Sequence, residues 1–133
     1  MRTEYNVEIT ECSISNLTSR DRLRMKDLSD ALLLNGLVAD APDGLAITPM
    51  DYAVLSVHND KVKEGQSKDY VKYLIIDEDG QKYTTGSESF WNSFMDIWNE
   101  MNLKETGEKF EIKVYEKPSK NFSGKGFITC SII

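Results

Sequence analysis

The chain predicts a mainly β fold: a five-stranded Greek-key barrel with helical additions. Three observations carry this. From Asp51 onward the apolar runs fall in the order strand, loop, strand, turn, strand, helix, strand, loop, strand. The strand-like runs are short, alternate in polarity and are rich in β-branched and aromatic residues. A single strongly amphipathic helix sits between the third and fourth of them.

The centre of the pattern is Tyr73 to Met101. Tyr73-Leu74-Ile75-Ile76 reads as a buried strand, closed by the acidic turn Asp77-Glu78-Asp79-Gly80, where Gly80 is free to take positive φ. Gln81 to Thr85 returns as the next strand. Ser87 or Ser89 then caps a helix to Met101 by accepting from an orphan backbone N–H. Phe90, Phe94, Ile97 and Met101 recur at helical spacing, and Trp91, Met95 and Trp98 widen the stripe. Core packing is the expected role of both tryptophans.

Upstream, Tyr5 to Ile14 alternates as a strand. Thr18 with Asp21 forms a capping box, with Asp in place of the usual Glu or Gln. A helix is expected from there to about Asn35, burying Leu23, Leu28, Ala31 and Leu32, with Gly36 as its C′ residue. Arg20, Arg22, Arg24 and Lys26 near its start oppose the helix dipole and read as a solvated face beside Asp21, Asp27 and Asp30, with service to a partner as the alternative. Pro42-Asp43-Gly44 is a turn. Ile47-Thr48-Pro49 leads into the strand Asp51 to His58, with Ala53, Leu55 and Val57 on one face. Asn59 to Asp69 is a polar loop. After the central helix, Asn102 to Lys109 is a polar connection. Phe110, Ile112 and Val114 begin the fourth barrel strand, Pro118 to Gly126 is a loop, and Phe127 to Ile133 is the fifth.

This is the element order of the OB-fold, which binds oligonucleotides on its second and third strands and on its first-second and fourth-fifth loops. The whole chain, 1–133, is one domain, with 47–133 as the barrel core and 1–46 as an added strand and helix. The length suffices for a real core.

Composition bounds the function. With 40% hydrophobic and 29% charged residues the chain is of the globular class. It has no run of about 18 apolar residues, so no membrane partner is expected. Met1 to Tyr5 is followed by no apolar h-region, so a cytoplasmic location is expected. Cys12 and Cys130 stand at opposite ends of the chain; a bridge is open to them, but reduced thiols are the expectation in a cytosol. His58 is the sole histidine, and no nucleophile motif, phosphate-binding loop or metal-ligand spacing occurs. The expectation is a non-enzymatic protein with no cofactor. The net charge of −6 is uneven: residues 77–108 hold two lysines against eight acidic residues, and residues 109–125 hold five lysines against two glutamates. A polyanion responds to that local field more than to the sum.

Single-stranded nucleic acid is bound by a basic groove with aromatic platforms, because every base offers a π-face. The candidate groove residues are Lys61, Lys63, Lys68, Lys72, Lys82, Lys113, Lys117, Lys120 and Lys125. The candidate platforms are Tyr70, Tyr83, Tyr115 and Phe122. Phe122, between lysines in Lys120-Asn121-Phe122-Ser123-Gly124-Lys125, either stacks on a base or folds over the barrel end. Tyr73 is expected in the core. For the lysines, a solubilising role is the competing explanation.

The segments YAVLSVHN, YLIIDEDGQKYTTGSESFWNSF and KPSKNFSGKGFITCSII resemble the single-stranded DNA-binding proteins of phages and conjugative elements of Gram-positive bacteria. The similarity covers about residues 47–133 and is looser before them. It implies an OB-fold and a part in replication or recombination of a mobile element. The chain departs from the better-known bacterial single-stranded DNA-binding proteins in ending on a strand rather than on an acidic tail. The candidate partners are single-stranded DNA, replication proteins and further copies of the chain. The alternative function is a protein-binding module of a mobile element, such as an inhibitor of a host defence complex, working through its acidic surface.

Overall fold

Alternating apolar residues build two sheets in a computed structural model that describes residues 5–59, 69–118 and 126–133. The fold is mainly β. Its elements are β1 (Tyr5–Cys12), α1 (Ser19–Lys26), β2 (Leu32–Leu33), α2 (Leu34–Ala39), β3 (Leu45–Ile47), β4 (Pro49–Asn59), β5 (Asp69–Asp77), β6 (Lys82–Thr85), α3 (Glu88–Met101), α4 (Leu103–Thr106), β7 (Ile112–Pro118) and β8 (Gly126–Ile132). The larger sheet has the order β1-β4-β5-β6-β2 and the smaller β3-β7-β8. All pairings are antiparallel except β2 with β6.

Only Thr48 separates β3 from β4, so one length of chain passes from the small sheet into the large one. Pro49 explains the break. Proline has no N–H to give to a ladder and is tolerated at bulges, and the β4–β5 register shifts between Pro49 and Asp51. The freed Thr48 carbonyl accepts from the Glu78 N–H at 3.0 Å. Leu45–Ile47 is thus a strand in its own right rather than a lead-in.

Both faces of the large sheet are packed over its middle, so Leu74-Ile75-Ile76 of β5 reads as a continuous apolar run. On one face Ala53, Leu55 and Val57 of β4 pack with Leu74 of β5, Val7 of β1 and Met25 of α1. On the other, Tyr52 and Ile75 meet Phe90, Trp91, Phe94 and Trp98 of α3 and Ile47, Ile112, Val114, Ile128 and Cys130 of the small sheet. The rings interlock edge-on: Tyr52 lies 5.5 Å from Trp91 and 5.3 Å from Trp98, both T-shaped, the geometry that ring quadrupoles favour. Ser87 caps α3 by accepting from the Phe90 N–H at 3.2 Å, and Asn102 ends it at φ 50°. The tryptophans are core residues, as their spacing predicts.

The expected barrel is not closed. Its five strands divide into β4-β5-β6 and β7-β8, and no ladder joins β6 to β8 among the described residues. Instead α3 packs along β8. The Ser89 hydroxyl donates to the Ile128 carbonyl at 3.1 Å, and the Ser93 and Thr129 hydroxyls pair at 3.0 Å. A helix with four buried aromatic residues lies beside β8, and Ser89 satisfies an edge carbonyl that a strand would otherwise take.

The helix expected to reach Asn35 also ends early. Its capping box is present, with the Asp21 N–H donating to Thr18 Oγ1 at 3.1 Å. It stops at Lys26, because the Asp27 carboxylate turns to accept from the Ser29 N–H at 3.1 Å and hydroxyl at 2.7 Å, a local bond that competes with helix. Leu23, expected in the core, is 67% exposed. Gly36 lies inside α2 rather than after a helix, and α4 interrupts the expected polar connection. The N-terminal part holds more than the one strand and one helix expected: β1 flanks β4 and α1 covers one face, while β2 pairs with β6, α2 follows it and β3 enters the small sheet. No described helix is long and apolar enough to cross a membrane.

Candidate nucleic-acid interface

Strand alternation sorts the β7–β8 hairpin into two faces. Ile112, Val114, Ile128 and Cys130 turn inward and are buried. Lys113, Tyr115 and Lys117 of β7 therefore face outward, opposite Ser131, Thr129 and Phe127 of β8 in register. The Tyr115 and Ser131 hydroxyls are hydrogen-bonded at 3.0 Å, which fixes the tyrosine across the ladder. Phe127 is 39% exposed beside Lys117. Sequence reasoning did not place it in the interface. Its signal lay in the phase: an aromatic at the outward beat of a strand whose inward beat is Ile128 and Cys130. With Ala46 of β3 completing the row, this face holds two lysines and two aromatic rings, with exposed Glu111 in the same phase just before β7. Neither lysine forms an ion pair with a described residue.

Beside this face is a cleft of about 270 Å³ lined by Pro42, Asp43, Lys113, Tyr115 and Glu116. The pairing of β3 with β7 brings the turn before β3 against the Lys113 side. The Gly44 N–H donates to the Ala41 carbonyl at 2.9 Å and closes the turn. Gly44 has φ +93°, and the Lys113 stem lies across it so closely that an added Cβ would stand 2.5 Å from Lys113 Cε. Glycine is needed both for the conformation and for the approach.

The remaining expected residues divide. Tyr70, Lys72 and Lys82 share the face of the large sheet that α1 partly covers. Tyr70 is half-buried against that cluster. Lys82 serves the fold: its ammonium donates to the Arg24 carbonyl and, at 2.7 Å, to the Asp27 carbonyl, holding the C-terminal end of α1 to β6. Tyr83 lies on the opposite face, its hydroxyl donating to Asp77 Oδ2 at 3.2 Å. Burial, then the Asp77 charge, push its pKa upward. Tyr73 stacks on Trp91 at 4.6 Å, in keeping with its expected core role. Lys61, Lys63, Lys68, Lys120, Phe122 and Lys125 lie outside the described residues. The structure thus brings Lys113, Tyr115 and Lys117 together and separates them from Lys82 and Tyr83.

Cys12 and Cys130 are both free thiols. His58, on β4, meets Asp69 of β5 at 2.7 Å. No group of three metal-ligating side chains occurs among the described residues. Comparison of the chain with protein-family models, with curated proteins and with solved structures finds no match.

Proposed function

We propose that this protein binds single-stranded DNA, without enzymatic chemistry, through the outer face of the β7–β8 hairpin. Its role is to keep the strand from reannealing and from nucleases during replication or recombination of a phage or other mobile element. The observation that carries the reading is the face on which Lys113 and Lys117, without ion-pair partners among the described residues, alternate with Tyr115 and stand beside Phe127, within a chain of net charge −6. Lysines at this spacing track phosphates, and the rings accept bases of any sequence. The fold is read as an open OB-fold. In support, the strand that runs through β3 and β4 pairs with β7 at its start and with β5 along its length, as the shared first strand of such a barrel does. The helix α3 falls between the third and fourth barrel strands.

The test is fluorescence anisotropy with a labelled mixed-sequence oligonucleotide, single-stranded and duplex, at two salt concentrations. Tighter binding to the single strand is expected, with a log–log salt slope of about −0.7 for each phosphate neutralised. Absence of binding at low salt would overturn the reading in favour of a protein-binding module.

A further inference from the structure

The cleft beside Tyr115 is chemically unlike the face it adjoins. Its lining combines a tyrosine, a proline and a lysine with two carboxylates, Asp43 and Glu116. Both acidic side chains are exposed. Neither forms a hydrogen bond or ion pair with a described residue, although Lys113 borders the same cleft. A groove built only to hold phosphates would gain nothing from them, since they repel the backbone. A ligand that would use them presents N–H donors while its neighbouring group is anionic.

A nucleobase with an exocyclic amine meets that description. An ionised carboxylate only accepts hydrogen bonds, and the pairing of Asp or Glu with the cytosine amine is a known readout. The cleft's volume of about 270 Å³ falls just below the ~300–1,000 Å³ of drug-sized pockets and suits one base. The Tyr115 hydroxyl bond to Ser131 holds the ring as a fixed wall, with Pro42 as a second apolar surface. Lys113, whose stem crosses Gly44, is placed for the adjoining phosphate. Uracil and thymine are poor fits: their single ring N–H is recessed between two carbonyls, which carboxylates would repel.

The geometry points to a base-selective subsite at this cleft, in which Asp43 and Glu116 accept from the exocyclic amine of a base lodged at the edge of β7 between Pro42 and Tyr115. The inference rests on the single-stranded DNA reading above and adds a preference among bases to it.

Oligo(dC) and oligo(dU) of equal length isolate the effect, because both are pyrimidines and differ at position 4 and in the N3 proton. Anisotropy titrations at pH 8, where cytosine is unprotonated, are expected to give binding about fivefold tighter for oligo(dC). The double variant Asp43→Asn, Glu116→Gln, checked for an unchanged melting transition, should bring that ratio close to one. Removing two negative charges raises affinity for both oligonucleotides alike, so the ratio is the readout that charge alone does not move. A parent that binds both oligonucleotides equally, with normal salt dependence, overturns the subsite and leaves the single-stranded DNA reading standing. A ratio that survives in the double variant also overturns the subsite. A parent that binds neither oligonucleotide overturns the reading and the subsite together.

Discussion

At the scale of single residues, two kinds of lysine separate. Lys113 and Lys117 face outward without ion-pair partners among the described residues, whereas Lys82 is held by the carbonyls that end α1. Replacing Lys113 and Lys117 with alanine should weaken oligonucleotide binding and flatten the salt slope by about 0.7 for each phosphate no longer neutralised. Phe127→Ala should cost about 1–3 kcal/mol of binding with the salt slope unchanged, because stacking releases no counterions. Isothermal titration at several salt concentrations distinguishes the two signatures. Lys82→Met should do the reverse. It removes a cation from a helix C-terminus, where such charges contribute about 0.3–1 kcal/mol. Denaturant melts should show the loss in stability, while oligonucleotide affinity stays at the parent value. An affinity loss equal to that of the Lys113 variant would return Lys82 to the interface.

At the scale of elements, α3 governs the architecture. Its aromatic stripe was legible in the sequence because Phe90, Phe94 and Trp98 recur at helical spacing, and each is buried. What that stripe would pack against was not legible. Phe94 is fully buried and lies 6.2 Å from Tyr52, 5.1 Å from Trp91 and 6.0 Å from Phe90. Phe94→Ala leaves a cavity between sheet and helix and should destabilise by about 3–5 kcal/mol in urea unfolding. A loss below about 1 kcal/mol would mean that α3 does not support the core. The short helix α1 gives the contrasting case. Thr18→Ala removes its capping box and should cost about 1 kcal/mol, read from the same unfolding curves.

At the scale of the whole molecule, burial makes stability sensitive to alkali. Burial raises the Cys130 thiol from 9.0 to about 12. Burial, with the Glu11 carboxylate bonded to its hydroxyl, raises Tyr52 from 10.0 to about 12. In both cases the folded state keeps a proton that the unfolded chain gives up. The stability these groups contribute is therefore complete below pH 9 for Cys130 and below pH 10 for Tyr52, and is lost as pH rises toward 12. Melting temperature should fall from pH 9 upward. Cys130→Ala should lower stability by a constant amount at neutral pH and remove the part of the decline that begins at pH 9, leaving the later tyrosine part. A decline unchanged in that variant would show that Cys130 titrates normally in the folded protein.

Local chemistry determined much of this protein from the sequence. The Thr18 and Ser87 caps, the Gly80 turn, the alternation of the strands and the stripe of α3 depend on residues a few positions apart, so their periodicity can be read directly. So does the outward phase of Lys113, Tyr115 and Lys117. The early end of α1 was a local competition that periodicity alone does not reveal, since Asp27 and Ser29 outweigh apolar spacing through a side-chain turn. Only the tertiary structure decided the rest. Whether β8 closes on β6 depends on where α3 comes to lie, and that depends on packing between residues far apart in the chain. The same holds for the cleft. Asp43 meets Lys113, Tyr115 and Glu116 only because β3 pairs with β7, a pairing across about seventy residues that no spacing in the sequence records.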